Sequence, residues 1–254
     1  MNDVSGFMID MDGTVYRGDA VIPGAPEFVE RVKAKKIPFV FLTNNSASDR
    51  KHYLAKLTKM GFKVSIDNIL TSTTATITYI MKHYAEKTVY PLGTEKFIDE
   101  IKEAGVRIVD KDPDIVLLAF DTTITYEKIN RAYHFIKKGA LFVATHPDDL
   151  CPTEHGFDVD IGPFIRLLES MTGTKAMIIG KPNKMIVDMA AEMMKILPKK
   201  TVMVGDRIYT DMKMAADAGI RSIMVLTGEA KRADLEISGI QPTEVVGSVD
   251  EILR

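Results

Sequence analysis

Short apolar runs alternate along this chain with segments of helical periodicity, and four of the runs end in residues that carry chemistry. Gly6-Phe7-Met8-Ile9 leads into Asp10-Met11-Asp12-Gly13-Thr14. Pro38 to Leu42 leads into Thr43-Asn44-Asn45-Ser46. Ala176 to Ile179 ends in Gly180-Lys181-Pro182-Asn183, and Thr201 to Val204 ends in Gly205-Asp206, with Asp211 a little further on. Between them lie helical stripes such as Ala25 to Lys36, with Phe28, Val29 and Val32 on one face, and Asp49 to Met60. Alternation of this kind predicts an α/β fold with a parallel sheet and right-handed crossovers. In such a sheet the carboxyl ends of the strands lie along one edge, where ligands bind.

A second series of the same kind interrupts the first. Thr88 to Gly93 reads as strand and turn, Thr94 to Ala104 as helix, Val106 to Val109 and Ile115 to Phe120 as strands, Tyr126 to Lys138 as helix, and Leu141 to Thr145 as strand. This series can build its own core, so the expected division is a core of residues 1–79 and 178–254 with an inserted α/β domain at 80–177. The segment Thr73 to His83 reads less clearly: Thr76, Ile77, Tyr79 and Ile80 allow a helix despite the β-branched residues. His146 to Phe164 reads as an irregular stretch carrying His146, Asp148, Asp149, Asp158 and Asp160; aperiodic stretches of this length are often functional. Met185, Met189 and Met193 recur every fourth residue and are expected in the core. Val249 to Leu253 reads as a last helix.

The charges nearly cancel, 33 basic against 35 acidic residues for a net −2, so neither nucleic acid nor an anionic membrane is expected as the main partner. Cys151 is the one cysteine, which excludes an intrachain disulfide and a Cys-rich zinc site. The five histidines, at 52, 83, 134, 146 and 155, lack a His-x-x-x-His spacing, so zinc is not expected. Asp3, Asp10 and Asp12 interrupt any leader pattern, no apolar run reaches the roughly 18–20 residues of a membrane span, and a cytoplasmic location is expected.

The strand-end residues point to one chemistry. Asp10 and Asp12, two apart on an extended segment, share a face. Two close carboxylates need a cation or a proton to coexist, and carboxylate oxygens suit Mg²⁺. Hydroxyls and amides at Thr43 and Asn44 suit an anion, with N-capping of the next helix as the plainer alternative. Lys181 and Asp206 each admit a simple turn role, and Asp211 a helix-terminus role. Taken together they fit attack by a carboxylate on a phosphate monoester. That reaction needs a divalent cation, a lysine and fixed donors to bring two anions together.

Asp10-Met11-Asp12-Gly13-Thr14, Thr43-Asn44, Lys181, and Gly205-Asp206 with Asp211 resemble, in order, the four motifs of the haloacid-dehalogenase-like superfamily. Thr43-Asn44-Asn45-Ser46, Gly180-Lys181-Pro182 and the large insert resemble the NagD-type phosphatases with a C2 cap. The resemblance implies a Rossmann-like core with the first-motif strand central. It implies Asp10 as nucleophile and Mg²⁺ ligand, and Asp12 as general acid/base with its carbonyl on the metal. It also implies Thr43 and Asn44 on the phosphoryl oxygens, Lys181 as neutralising cation, Asp206 as Mg²⁺ ligand and Asp211 as support of the metal site. Haloalkanoate dehalogenases lack the second aspartate, and receiver domains are about half this length without an insert. Members with similar motifs hydrolyse nucleotide monophosphates, sugar phosphates and other small phosphorylated metabolites, and p-nitrophenyl phosphate as an artificial substrate. The cap, and within it the 145–164 loop, is the expected specificity surface; His146 stands where the subfamily often has Asn before Pro-Asp. A phosphotransferase or phosphomutase on the same core, a non-catalytic binder of phosphorylated metabolites, and assembly into a homo-oligomer stay open.

Overall fold

A computed structural model describes residues 4–153 and 156–254 of the chain. They divide into two compact units, one from residues 4–43, 50–70 and 181–254, the other from 44–49 and 71–180. His155, one of the five histidines, and Asp3 lie outside the described residues.

The first unit is built on a six-stranded sheet. Its strands lie in the order Glu244–Val246, Arg221–Val225, Thr201–Gly205, Gly6–Asp10, Phe39–Thr43 and Ile69–Thr71. The first five are joined by parallel pairings. Gly6–Asp10, Phe39–Thr43 and Thr201–Gly205 are buried along their whole length, which explains why their sequences are unbroken apolar runs rather than alternating ones. From Gly6–Asp10 the chain first adds strands on one side and later adds the other three on the opposite side. The reversal lies between Gly6–Asp10 and Thr201–Gly205, and a reversal of this kind opens a crevice at the carboxyl ends of the strands.

Register decides which residues meet that crevice. Ile9 pairs with Val204, and Asp10 with Leu42. Asp10, Thr43 and Asp206 therefore stand within one residue of a common line across the sheet. Beneath them Phe7, Ile9, Phe28, Phe41, Tyr53, Leu57, Phe62 and Val204 form one core cluster. Phe7 meets Phe28 edge to face at 5.8 Å, and Phe41 meets Phe62 at 6.0 Å. Each such side chain contributes about 1.5–3 kcal/mol by leaving water, so the sheet is a firm base for the polar groups at its edge.

The second unit carries its own five-stranded parallel sheet. The order is Met177–Ile178, Leu141–Ala144, Ile115–Leu118, Thr88–Leu92 and Arg107–Ile108. Its core gathers Tyr90, Leu92, Val116, Leu118, Phe142, Ile161, Ile165 and Leu168. The ambiguous segment is a helix, Ser72–His83, and it belongs to this unit, whereas the sequence reading counts residues 72–79 with the core. Two observations account for that: Ser72 Oγ donates to the Asn44 carbonyl at 2.5 Å, and Thr74 Oγ1 to Glu100 at 3.5 Å. Thr71 caps the helix by accepting from the Thr74 N–H at 3.0 Å.

Three local expectations are corrected. The stretch 146–164 is not structureless: Leu150–Thr153 and Gly156–Val159 pair as an antiparallel hairpin, with Leu150 opposite Val159. The methionine stripe is not the core face of its helix. Met193 is exposed, and the helix Met185–Met194 buries Ile186, Val187, Ala190, Ala191 and Met194 instead. Met185, Met189 and Met193 thus lie on its flank, while Met194 packs inward with branched and small residues. Val249–Glu251 is one turn of 3₁₀-helix rather than an α-helix, and a helix at Arg232–Ser238 precedes it.

Candidate active site

Asp10 is the last residue of its strand and is buried. Lys181, itself buried, donates a hydrogen bond to Asp10 Oδ1 and another to Asp211 Oδ1, the latter at 2.7 Å. Asp206 follows the Thr201–Gly205 strand and accepts from Thr14 Oγ1 at 3.1 Å and from the Glu229 N–H at 2.8 Å. Asp211 lies in the π-helical turn Ile208–Met212, where its second oxygen accepts from the Arg207 N–H at 3.1 Å. One oxygen each of Asp10, Asp206 and Asp211 fall within 4.8 Å of one another.

The backbone around this group is cut to fit it. Gly13 has φ +87, and a Cβ there would run into the Asp206 carboxylate. A Cβ on Gly228 would meet the same carboxylate, and one on Gly205 would meet that of Asp211. The Gly13 carbonyl accepts from Thr227 Oγ1 at 2.7 Å, which ties the turn after Asp10 to the loop after Arg221–Val225.

Electrostatics follow from burial. Loss of water pushes the Asp10 carboxyl up to about 6, against the pull of the Lys181 ammonium. Burial likewise raises Asp206 to about 6, with the Asp211 charge adding to it. Asp211 is raised to about 6 by burial, with Lys181 opposing. For Lys181, burial works to lower the pKa, and the carboxylates of Asp10 and Asp211 more than reverse it, so the ammonium persists. Three clustered buried carboxylates, two of them bonded to this ammonium, make an all-oxygen donor set with negative charge to spare. That is the chemistry a hard divalent cation such as Mg²⁺ takes.

Asp12, Thr43 and Asn44 are not members of this carboxylate cluster. Asp12 is half-buried, outside the three-carboxylate cluster, and bridges by its backbone to Tyr16. Its carboxyl is raised by burial, which the charges of Lys56 and Arg207 and a hydrogen bond from the Gly18 backbone oppose. It therefore faces the small hairpin Tyr16–Arg17/Ala20–Val21. Thr43 is buried at the end of its strand. Asn44 belongs to the second unit, where its amide donates to Asp148 Oδ1 at 3.0 Å. Thr14, Gly13, Thr227, Gly228 and the Arg207 and Glu229 N–H groups were not singled out as site-shaping residues from sequence. Gly13 and Thr14 stand in the first cluster and were within reach; Gly228 carries only a generic turn signal.

Residues 7–107 match the family model of haloacid dehalogenase-like hydrolases, and residues 178–252 match a HAD-hydrolase-like model. The chain is 34% identical to an acid sugar phosphatase of Staphylococcus haemolyticus over 96% of its length and 93% of the relative. It is 32% identical to the 5'-nucleotidase YutF of Bacillus subtilis over 99% of its length and 98% of that protein. Among solved structures it is similar to a 4-nitrophenylphosphatase of Thermotoga maritima, with a TM-score of 0.94, 38% identity, and coverage of 99% and 97% of the two chains. NagD of E. coli K-12 follows the same fold with a TM-score of 0.91, 29% identity and coverage of 98% of each chain. The chain belongs to the haloacid-dehalogenase-like hydrolases, as a phosphatase of the NagD type.

Proposed function

We propose that this protein is a Mg²⁺-dependent phosphomonoesterase that turns over small phosphate monoesters through an aspartyl-phosphate on Asp10. The observation that carries the reading is the buried ammonium of Lys181 between Asp10 and Asp211, beside Asp206. A lone buried carboxylate would sit protonated and inert; one paired to a fixed cation stays available as a nucleophile.

In the proposed reaction an Asp10 oxygen attacks phosphorus, and the bond from phosphorus to the leaving oxygen breaks. Asp12, protonated, gives its proton to that oxygen. Asp12 as carboxylate then takes a proton from water, the water oxygen attacks phosphorus, and phosphate leaves with Asp10 restored. Burial raises the Asp12 carboxyl, the direction that favours a proton-donating role. Lys181 neutralises charge as the two anions meet, and Thr43 and Asn44 hold phosphoryl oxygens. Asp10, Asp206 and the Asp12 carbonyl would hold Mg²⁺, with Asp211 in support, and the ion would supply further neutralisation of the phosphoryl oxygens. Sugar phosphates, nucleotide monophosphates and p-nitrophenyl phosphate are the proposed substrate range, which the names of the relatives support. We assign selectivity among them to the inserted region 80–177, and within it to the 145–164 loop.

The test is phosphate release from a panel of such esters, with Mg²⁺ and with EDTA, for the wild type and Asp10→Asn. Release that needs Mg²⁺ and falls by about 10³-fold or more in the variant is expected. Near-full activity of Asp10→Asn would overturn the mechanism. Transfer to an added alcohol in preference to water would make the protein a phosphotransferase instead.

A further inference from the structure

His146 is wholly buried in the second unit, and its Nδ1 has no hydrogen-bond partner. Two carboxylates flank the ring: Asp148 Oδ2 is 3.9 Å from Nδ1, and Asp160 Oδ1 is 3.7 Å from Nε2. Asp160 is as buried as the ring, and Asp148 nearly so. One imidazole nitrogen and one oxygen of each carboxylate all lie within 4.8 Å of one another. Neither carboxylate is close enough to hydrogen-bond the ring.

We propose that His146, Asp148 and Asp160 form a binding site for a divalent transition-metal cation of the Zn²⁺ type, separate from the three carboxylates of the first unit. Zinc sits about 2.0–2.2 Å from imidazole nitrogen and carboxylate oxygen, so a single ion spans donor pairs up to about 4.2 Å apart. The 3.9 Å between His146 Nδ1 and Asp148 Oδ2 falls in that range, and one ring nitrogen lies within 4.8 Å of an oxygen of each carboxylate. Mixed imidazole and carboxylate ligation favours such an ion over Mg²⁺.

The surroundings hold the three side chains in place. Ser46 Oγ lies 3.2 Å from His146 Nε2, and it also accepts from the Phe120 N–H at 2.9 Å. A cation on Nδ1 would use the ring nitrogen that has no hydrogen-bond partner, while Ser46 Oγ, which accepts from the Phe120 N–H and from Thr145 Oγ1, meets the other. Asn44 fixes Asp148 through Oδ1, and the Ile161 N–H fixes Asp160 through Oδ1 at 2.7 Å. The two ends of the 146–160 stretch are already in touch: the Gly162 N–H donates to the Asp148 carbonyl at 2.8 Å, and a Cβ on Gly162 would lie 2.7 Å from the Pro147 carbonyl oxygen. A cation on these three residues would staple the base of the Leu150–Thr153/Gly156–Val159 hairpin and lock the carboxylate that holds Asn44.

The experiment uses the full chain carrying Asp206→Asn, which disables the carboxylate group of the first unit, and titrates it with Zn²⁺ by calorimetry. One Zn²⁺ per chain is expected, and adding His146→Ala should weaken it by at least ~10-fold. Asp160→Asn is the second variant, with circular dichroism confirming that each stays folded. On ¹⁵N-histidine-labelled protein, Zn²⁺ should move the Nδ1 resonance of one buried imidazole that His146→Ala removes. No Zn²⁺ uptake by the Asp206→Asn protein, or equal uptake with and without His146 and Asp160, would overturn the proposal.

Discussion

Asp10 and Asp12 stand two residues apart yet meet different surroundings. Asp10 ends a buried strand against Lys181, while Asp12 lies past it beneath the Tyr16–Arg17/Ala20–Val21 hairpin. Their substitutions should therefore differ in kind. Asp12→Asn is expected to lower kcat by about 10²- to 10⁴-fold, less for esters with good leaving groups, because those need little proton donation. Equal losses on p-nitrophenyl and alkyl phosphates would contradict an acid role. Lys181→Met should lower kcat by about 10²-fold or more and destabilise the fold by about 3–5 kcal/mol, since it strips a buried charge network of its cation; urea melts read the second effect. Gly13→Ala forces a left-handed φ on a residue with a Cβ and drives that Cβ into the Asp206 carboxylate, so weaker Mg²⁺ binding and a loss of about 1–2 kcal/mol are expected. The chemical residues were legible in the sequence because carboxylates and a lysine closing apolar runs are hard to explain otherwise. The role of Gly228 was not, because a close approach between chain segments leaves no mark at either one alone.

At the scale of elements, the strands and helices of both units were legible wherever periodicity was strong, as in the helices Ala25–Ala34 and Tyr126–Lys137. Ser72–His83 was ambiguous because Thr73, Thr74, Thr76, Ile77 and Thr78 weaken local helix preference, and tertiary bonds from Ser72 and Thr74 decide it. The hairpin Leu150–Thr153/Gly156–Val159 was missed because the alternation in Phe157-Asp158-Val159 is too short to read, and the strand it marks is exposed on both faces. Ser46 illustrates how far a residue can act from its sequence neighbours. Its hydroxyl accepts from the Phe120 N–H and meets His146, residues 74 and 100 positions away in the chain. Ser46→Ala leaves that buried N–H unsatisfied and should cost about 1–3 kcal/mol in equilibrium unfolding. A change much below this range would show that the bond is replaceable.

For the whole molecule, the charge balance excludes little, and among the described residues no helix is long and apolar enough to cross a membrane. The buried carboxylates give a sharper global signature. Asp10, Asp206 and Asp211 are each raised to about 6, so without metal the folded chain holds protons that the unfolded chain gives up near pH 4. Their contribution to stability is fully present below that lower pH and is lost as pH rises through about 6. A cation takes the place of those protons. The gain in Tm on adding Mg²⁺ should therefore be larger at pH 8 than at pH 5, and Asp206→Asn should shrink it. A gain independent of pH would place the metal elsewhere.

The central claim is that Asp10 carries the phosphoryl group, and chemical trapping tests it most directly. Protein turning over substrate with Mg²⁺ is quenched into borohydride, which reduces an aspartyl-phosphate to homoserine, and the peptides are read by mass spectrometry. Homoserine at position 10, absent without substrate, is the predicted result. Turnover with an unaltered Asp10, or homoserine at another aspartate, would contradict the account.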